Sequence, residues 1–273
     1  MPHAQSTINP ARANFFRDLK GDLGPKALET LDPEKSTSQG LPRVVGSSTT
    51  KLERYPCITQ KPTPTAIAGS ISATALQVGL GKDIPRWRTG PTKTVNFAVL
   101  ANGYPKPELA FLAAKNLQEA ANEWNTLELG VQFKWVYKIE DAAFVLTYAK
   151  EVSPGTLAEA FFPNNMDLNV LNVYPAAFEE GTMQYLKNIF LHELGHVLGL
   201  RHEFAPEKET GANLESVQIG PRNPTSVMAY EFPPQMQPSD IDSAKAFYQF
   251  PGKHLGVMQK TGTLPIMDYD ANN

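Results

Sequence analysis

Cysteine is nearly absent: the 273 residues hold one, Cys57. No internal disulfide is possible, so a small disulfide-stapled scaffold is excluded and the fold must rest on its core. Long apolar runs are missing too, and none approaches the roughly 18 residues of a bilayer-spanning helix. Charge of one sign does not dominate. The 25 basic and 28 acidic side chains give a net −3, no footprint for nucleic acid or an anionic membrane. The stretch from Met1 to Pro10 has no basic region followed by an apolar one, so no secretory signal is visible. A cytoplasmic or non-classically secreted monomer is expected, with an extracellular one as the alternative.

Histidine is scarce as well, and its placement is informative. Three of the five fall in His192-Glu193-Leu194-Gly195-His196-Val197-Leu198-Gly199-Leu200-Arg201-His202. A chance match to those five fixed positions, H-E-x-x-H-x-x-G-x-x-H, has a probability on the order of 10⁻⁵ at ordinary residue frequencies. Apolar residues at helical period surround it (Leu186, Ile189, Phe190, Leu194, Val197, Leu198). On a helix His192 and His196 stand one above the other, so both can reach one metal ion. Glu193 lies off that row and can hold the attacking water as general base. Gly199 permits the positive φ that ends a helix. The chain then turns back and brings His202 round as a third ligand. Three neutral imidazoles leave one position of a tetrahedral zinc open, the pattern of a catalytic site.

Downstream lies Pro224-Thr225-Ser226-Val227-Met228-Ala229-Tyr230-Glu231. The extended histidine motif followed by a methionine turn resembles the metzincin clan of zinc endopeptidases. Ser-x-Met-x-Tyr is most similar to the astacin and serralysin branches. By position, the resemblance makes Met228 the apolar floor beneath the imidazoles. It makes Tyr230 a donor to the metal or to the oxyanion of the reaction. Glu203 follows His202, where astacins also carry Glu, linked to a buried amino terminus. It reads equally as a surface or salt-bridging acid. Astacins usually have disulfides, which this chain cannot form.

Composition shifts near residue 85. Residues 1–85 hold 9 of 23 prolines and only 3 of 26 aromatic residues. They read as an N-terminal extension, either a pro-segment or a disordered tail, with short helices near Ala11–Lys20 and Lys26–Leu31. Residues 86–273 read as the catalytic domain. Strands are expected at Thr94–Leu100, Val131–Tyr137, Ala142–Tyr148, Thr156–Phe162 and Leu168–Val173. A helix opens at Pro107 with the stripe Leu109, Leu112, Ala113, Leu117, Ala120, Ala121 and Trp124. A last helix opens at Ser239-Asp240-Ile241-Asp242, read as a capping box. This order is the one the resemblance implies from Trp87 to Phe250. The implied class is α+β: a twisted five-stranded, mostly parallel sheet with an antiparallel edge strand, then zinc helix, methionine turn and C-terminal helix.

The resemblance also implies a protein or peptide substrate bound extended along the edge strand, here Leu157, Ala158, Glu159 and Ala160. The pocket wall would be Glu231-Phe232-Pro233-Pro234. Latency has two candidate ligands, Cys57 and Asp22, after the cysteine switch of matrix metalloproteinases and the aspartate switch of astacins. The function implied is zinc-dependent endopeptidase. A catalytically weak or inactive peptide- or metal-binding module is the alternative, and the presence of Glu193 argues against it. Zinc hydrolysis of a non-peptide substrate is a third reading.

Overall fold

Alternating apolar residues build the sheet on which everything else sits. A computed structural model describes residues 13, 16–17, 20–21, 24–36, 76–78, 82–149, 155–203, 217–258 and 262–271. In chain order the strands are β1 (Leu76–Val78), β2 (Ile84–Trp87), β3 (Thr94–Val99), β4 (Gln132–Trp135), β5 (Phe144–Tyr148), β6 (Ala158–Glu159) and β7 (Asn169–Val173). After them come β8 (Leu200–Arg201), β9 (Val217–Ile219), β10 (His254–Met258) and β11 (Gly262–Tyr269). The helices are α1 (Pro33–Ser36), α2 (Pro107–Asn125), α3 (Leu186–Val197) and α4 (Pro238–Gln249).

The main sheet has the order β4-β3-β5-β7-β6. Its first three pairings are parallel and β6 runs antiparallel to β7, as expected. Phe97, Phe144, Leu146, Leu171 and Val173 face α2 and α3 in the larger core. The opposite face carries Ala98, Leu100 and Val145, covered in part by Phe16 and Leu28. In α2 the expected stripe is buried except Leu109, which is half-buried, while Ala110 and Ala114 are fully inside.

The edge strand is shorter than Thr156–Phe162. Only Ala158 and Glu159 pair with β7, opposite Val173 and Asn172. Beyond Glu159 the chain leaves the ladder so that Phe161 can enter the core against Phe144, ring centroids 5.5 Å apart. The expected helix at Lys26–Leu31 is not one. Residues 25–28 form a turn, and Thr30 bridges antiparallel to Leu100, with Leu31 N–H donating to Val99 O at 2.9 Å. The first helical reading has a counterpart in residues 13, 16–17 and 20–21, which are helical.

Two smaller sheets lie outside the expected plan. One has the order β8-β1-β9, so β1 sits between the strand entering His202 and a strand of the following segment. The other is β10-β11-β2, in which β11 runs parallel to β2. Arg86 binds it to the C-terminal helix: Nε donates to Asp268 Oδ1 at 2.8 Å and Nη1 to Phe247 O at 2.9 Å.

Because β1 is the middle strand of its sheet, its removal strips both neighbours of ladder partners. Deleting residues 1–85 is therefore expected to lower zinc content and melting temperature well below those of a chain lacking only residues 1–75. Metal analysis and thermal melts of the two truncations check this.

Candidate metal centre

The helix α3 carries two of the three histidines, and its end is built to release the third. Gly199 has φ +91°, and a Cβ there would collide with the Pro85 carbonyl oxygen. Only glycine meets both demands. The last carbonyls of the helix are taken by side chains from elsewhere. Trp87 Nε1 donates to Val197 O at 2.7 Å and Tyr248 Oη to Leu198 O at 2.9 Å. These bonds satisfy acceptors that a buried helix end would otherwise leave empty.

The chain then turns into β8 and delivers His202. The Nε2 atoms of His192, His196 and His202 lie 3.1, 3.2 and 3.2 Å from one another. All three side chains are buried. His192 Nδ1 lies 2.7 Å from Val227 O, and His196 Nδ1 lies 2.7 Å from Leu200 O. A carbonyl only accepts, so each Nδ1 carries the proton and each Nε2 presents a lone pair. Burial first, and then the neighbouring histidines, hold both imidazoles well below the ordinary pKa and so neutral. Bare lone pairs repel at that distance unless a cation lies among them. Tetrahedral zinc at about 2.0–2.1 Å from each nitrogen needs N···N separations near 3.3 Å. The three histidines fit the ion to within a few tenths of an ångström.

Glu193 is fully buried beside them. Met228 is also fully buried and lies under the helix, where a Cβ on Gly195 would run into its Sδ. Gly195, an unspecified position in the motif, is thus what lets the methionine turn approach. Tyr230 follows the turn, its ring centroid 4.7 Å from that of His202. The wall is fastened to the helix by Tyr185 and Phe232, in edge contact at 5.2 Å, and by Asn188 Nδ2 donating to Pro234 O at 2.8 Å. Leu157, Ala158 and Ala160 are buried along the edge strand and Glu159 is half-buried. Phe162 brings its ring 5.5 Å from His196. Cys57 and Asp22 lie outside the described residues.

Asp240 was not anticipated as part of the site. The expected capping box at Ser239 is displaced by two residues: Gln237 is the N-cap and Asp240 the third helical residue that answers it. The Asp240 carboxylate also accepts from Ser226 Oγ at 2.6 Å, Val227 N–H at 2.8 Å and Gln237 N–H at 2.9 Å. It fixes the residue whose carbonyl holds His192. Pro238 at the first helical position with an acid two residues later was the available signal. Glu203 is not a surface acid but is 1% exposed. It accepts from Asn223 N–H at 2.8 Å, and burial pushes its carboxyl up to about 7.

Fold and site together define a metal-dependent peptidase. The chain belongs to metallo-peptidase family M12, whose family model matches residues 2–238. It matches no curated protein. Among the described residues no helix is long and apolar enough to cross a membrane.

Asp240→Ala leaves two backbone N–H groups and one hydroxyl without their acceptor. The loss is expected to cost about 3 kcal/mol, read by denaturant unfolding of the zinc-loaded protein, and to weaken zinc binding through the loosened Val227 carbonyl.

Proposed function

We propose that the protein is a zinc endopeptidase in which Glu193 is the general base, with a site closest to the astacin and serralysin branches. The observation that carries this reading is the convergence of three buried histidines on one point, two of them with Nδ1 protonated toward a backbone carbonyl, and a buried carboxylate one residue away on the same helix. Zinc held by His192, His196 and His202 would lower the pKa of water toward about 7 and polarise the scissile carbonyl. Glu193 takes the proton from the attacking water and passes it to the departing amine. Tyr230 donates its phenol proton in a hydrogen bond to the carbonyl oxygen as negative charge develops there. The outer edge of β6, unpaired among the described residues, lines up the extended substrate by strand addition, which excludes water and fixes the carbonyl's approach. An intact Glu193 favours this over a binding module that kept only the fold.

Casein or gelatin hydrolysis, abolished by a chelator and restored by zinc, tests the reading. A zinc-loaded chain inert toward a broad peptide mixture rejects it. Glu193→Ala is expected to keep about one zinc per chain while hydrolysis falls by at least the roughly 10²–10⁴-fold of a general base. His202→Ala should instead lose the metal. Zinc analysis beside turnover separates the two.

Tyr230→Phe removes a single donor. Its kcat is expected to drop about 10²–10³-fold with KM little changed, since the bond forms as charge develops. Steady-state kinetics on one quenched-fluorescence peptide measures it, and unchanged turnover would leave Tyr230 as packing.

A further inference from the structure

The edge strand carries one ionisable side chain, Glu159, and its position has a consequence for substrate choice. Glu159 pairs with Asn172 of β7, so its side chain stands on the same face of the sheet as those of Asn172 and Val170. Its Oε2 accepts from Tyr174 Oη at 2.6 Å, with Asn172 Nδ2 at 3.5 Å. Tyr174 is itself buried at 2% exposure, so the carboxylate is tethered on a rigid support. Burial, the bond to Glu159 and, at longer range, the charge of Glu193 all raise the Tyr174 phenol pKa. Among the described residues no Lys, Arg or His forms an ion pair with Glu159.

The direction of the strand fixes which side of the scissile bond this acid reads. The chain runs from Ala158 and Glu159 toward Phe162, whose ring meets His196. It thus runs toward the metal centre. Among the described residues its second edge is unpaired, since β6 ends the sheet order. A peptide adding there in the more stable antiparallel sense runs away from the centre as it passes Glu159. What passes Glu159 is then the part of the substrate C-terminal to the cleaved bond. The residue directly opposite Glu159 places its side chain on the same face, with Cβ atoms about 4.5–5.5 Å apart.

We propose that Glu159 is a specificity-determining residue that selects Lys or Arg at one position on the C-terminal side of the scissile bond. The inference rests on the peptidase reading and on strand addition at β6. A long cationic side chain there gains an opposite-charge cross-strand contact with a carboxylate that has no cation partner among the described residues, and an acidic one meets repulsion.

The test is a set of internally quenched peptide mixtures, each varied at one position on either side of the cleaved bond. The zinc-loaded full chain is compared with Glu159→Gln and Glu159→Lys. Wild type is expected to favour Lys and Arg over Asp and Glu by roughly fivefold to tenfold in kcat/KM at one position after the bond. The preference should shrink at high salt. Glu159→Gln keeps an oxygen for Tyr174 and should flatten the preference, and Glu159→Lys should invert it. Cleavage with no basic preference after the bond, or a preference untouched by Glu159→Gln, overturns the assignment. Failure of the zinc-loaded wild type to cleave any mixture overturns the peptidase reading, and this inference with it.

Discussion

Three imidazole Nε2 atoms held 3.1–3.2 Å apart in a buried space are the constraint on which this molecule turns. Two of the rings can neither rotate nor change tautomer without losing a backbone carbonyl. Those carbonyls, Val227 O and Leu200 O, belong to two segments far apart in sequence. The metal centre is therefore only as rigid as the methionine turn and the strand after Gly199. Each has its own anchor. Asp240 ties the turn to the start of the last helix, and pairing with β1 holds Leu200 and Arg201. Outer groups of this kind set ligand orientation and basicity in metal sites generally.

The site also concentrates acids where water is excluded. Glu193, Glu203 and Asp240 are each 2% exposed or less. Burial raises the pKa of Glu203 and Asp240, and hydrogen bonds from Ser226 and from backbone N–H groups pull the other way. Carboxylates are costly in such surroundings, and they persist where they hold something in place. Asp240 and Glu203 grip opposite ends of the segment 223–227, which becomes a braced strut under the histidines rather than a loose loop.

Much of this was legible in the sequence. The histidine spacing, Gly199 and Met228 carry steric and coordination demands that few other residues meet, and β4 and β7 alternate while β5 opens on a continuous apolar run. The remaining elements are non-local or too short to be periodic. β1, β8 and β9 have three, two and three residues, below the length at which alternation is visible. β11 pairs with β2 across most of the chain, and nothing local encodes that partner. The capping error at Ser239 has a plain cause. Serine is the commoner N-cap, so it drew the assignment, while Pro238 fixes the first helical position and leaves Gln237 as the cap. The edge strand is shorter than its apolar pattern, which Phe161 and Phe162 continue. They continue it into the core and toward His196, not along the ladder.

The shift in composition near residue 85 marks where aromatic residues become frequent, yet physical connections cross it. β2 spans the position, with Ile84 and Trp87 in the larger core and the Pro85 carbonyl against Gly199. Upstream, Val78 is fully buried opposite Leu200, whose carbonyl holds His196. Farther back, Leu31 N–H donates to Val99 O and Ala101 N–H to Glu29 O. The family match likewise begins at residue 2. The unit that shapes the metal centre therefore starts no later than Leu76. If residues before it restrain the enzyme, relief by proteolysis must come from a cut upstream of that strand, because a cut at 85 would remove the support of two of the three candidate metal-binding histidines together with the restraint.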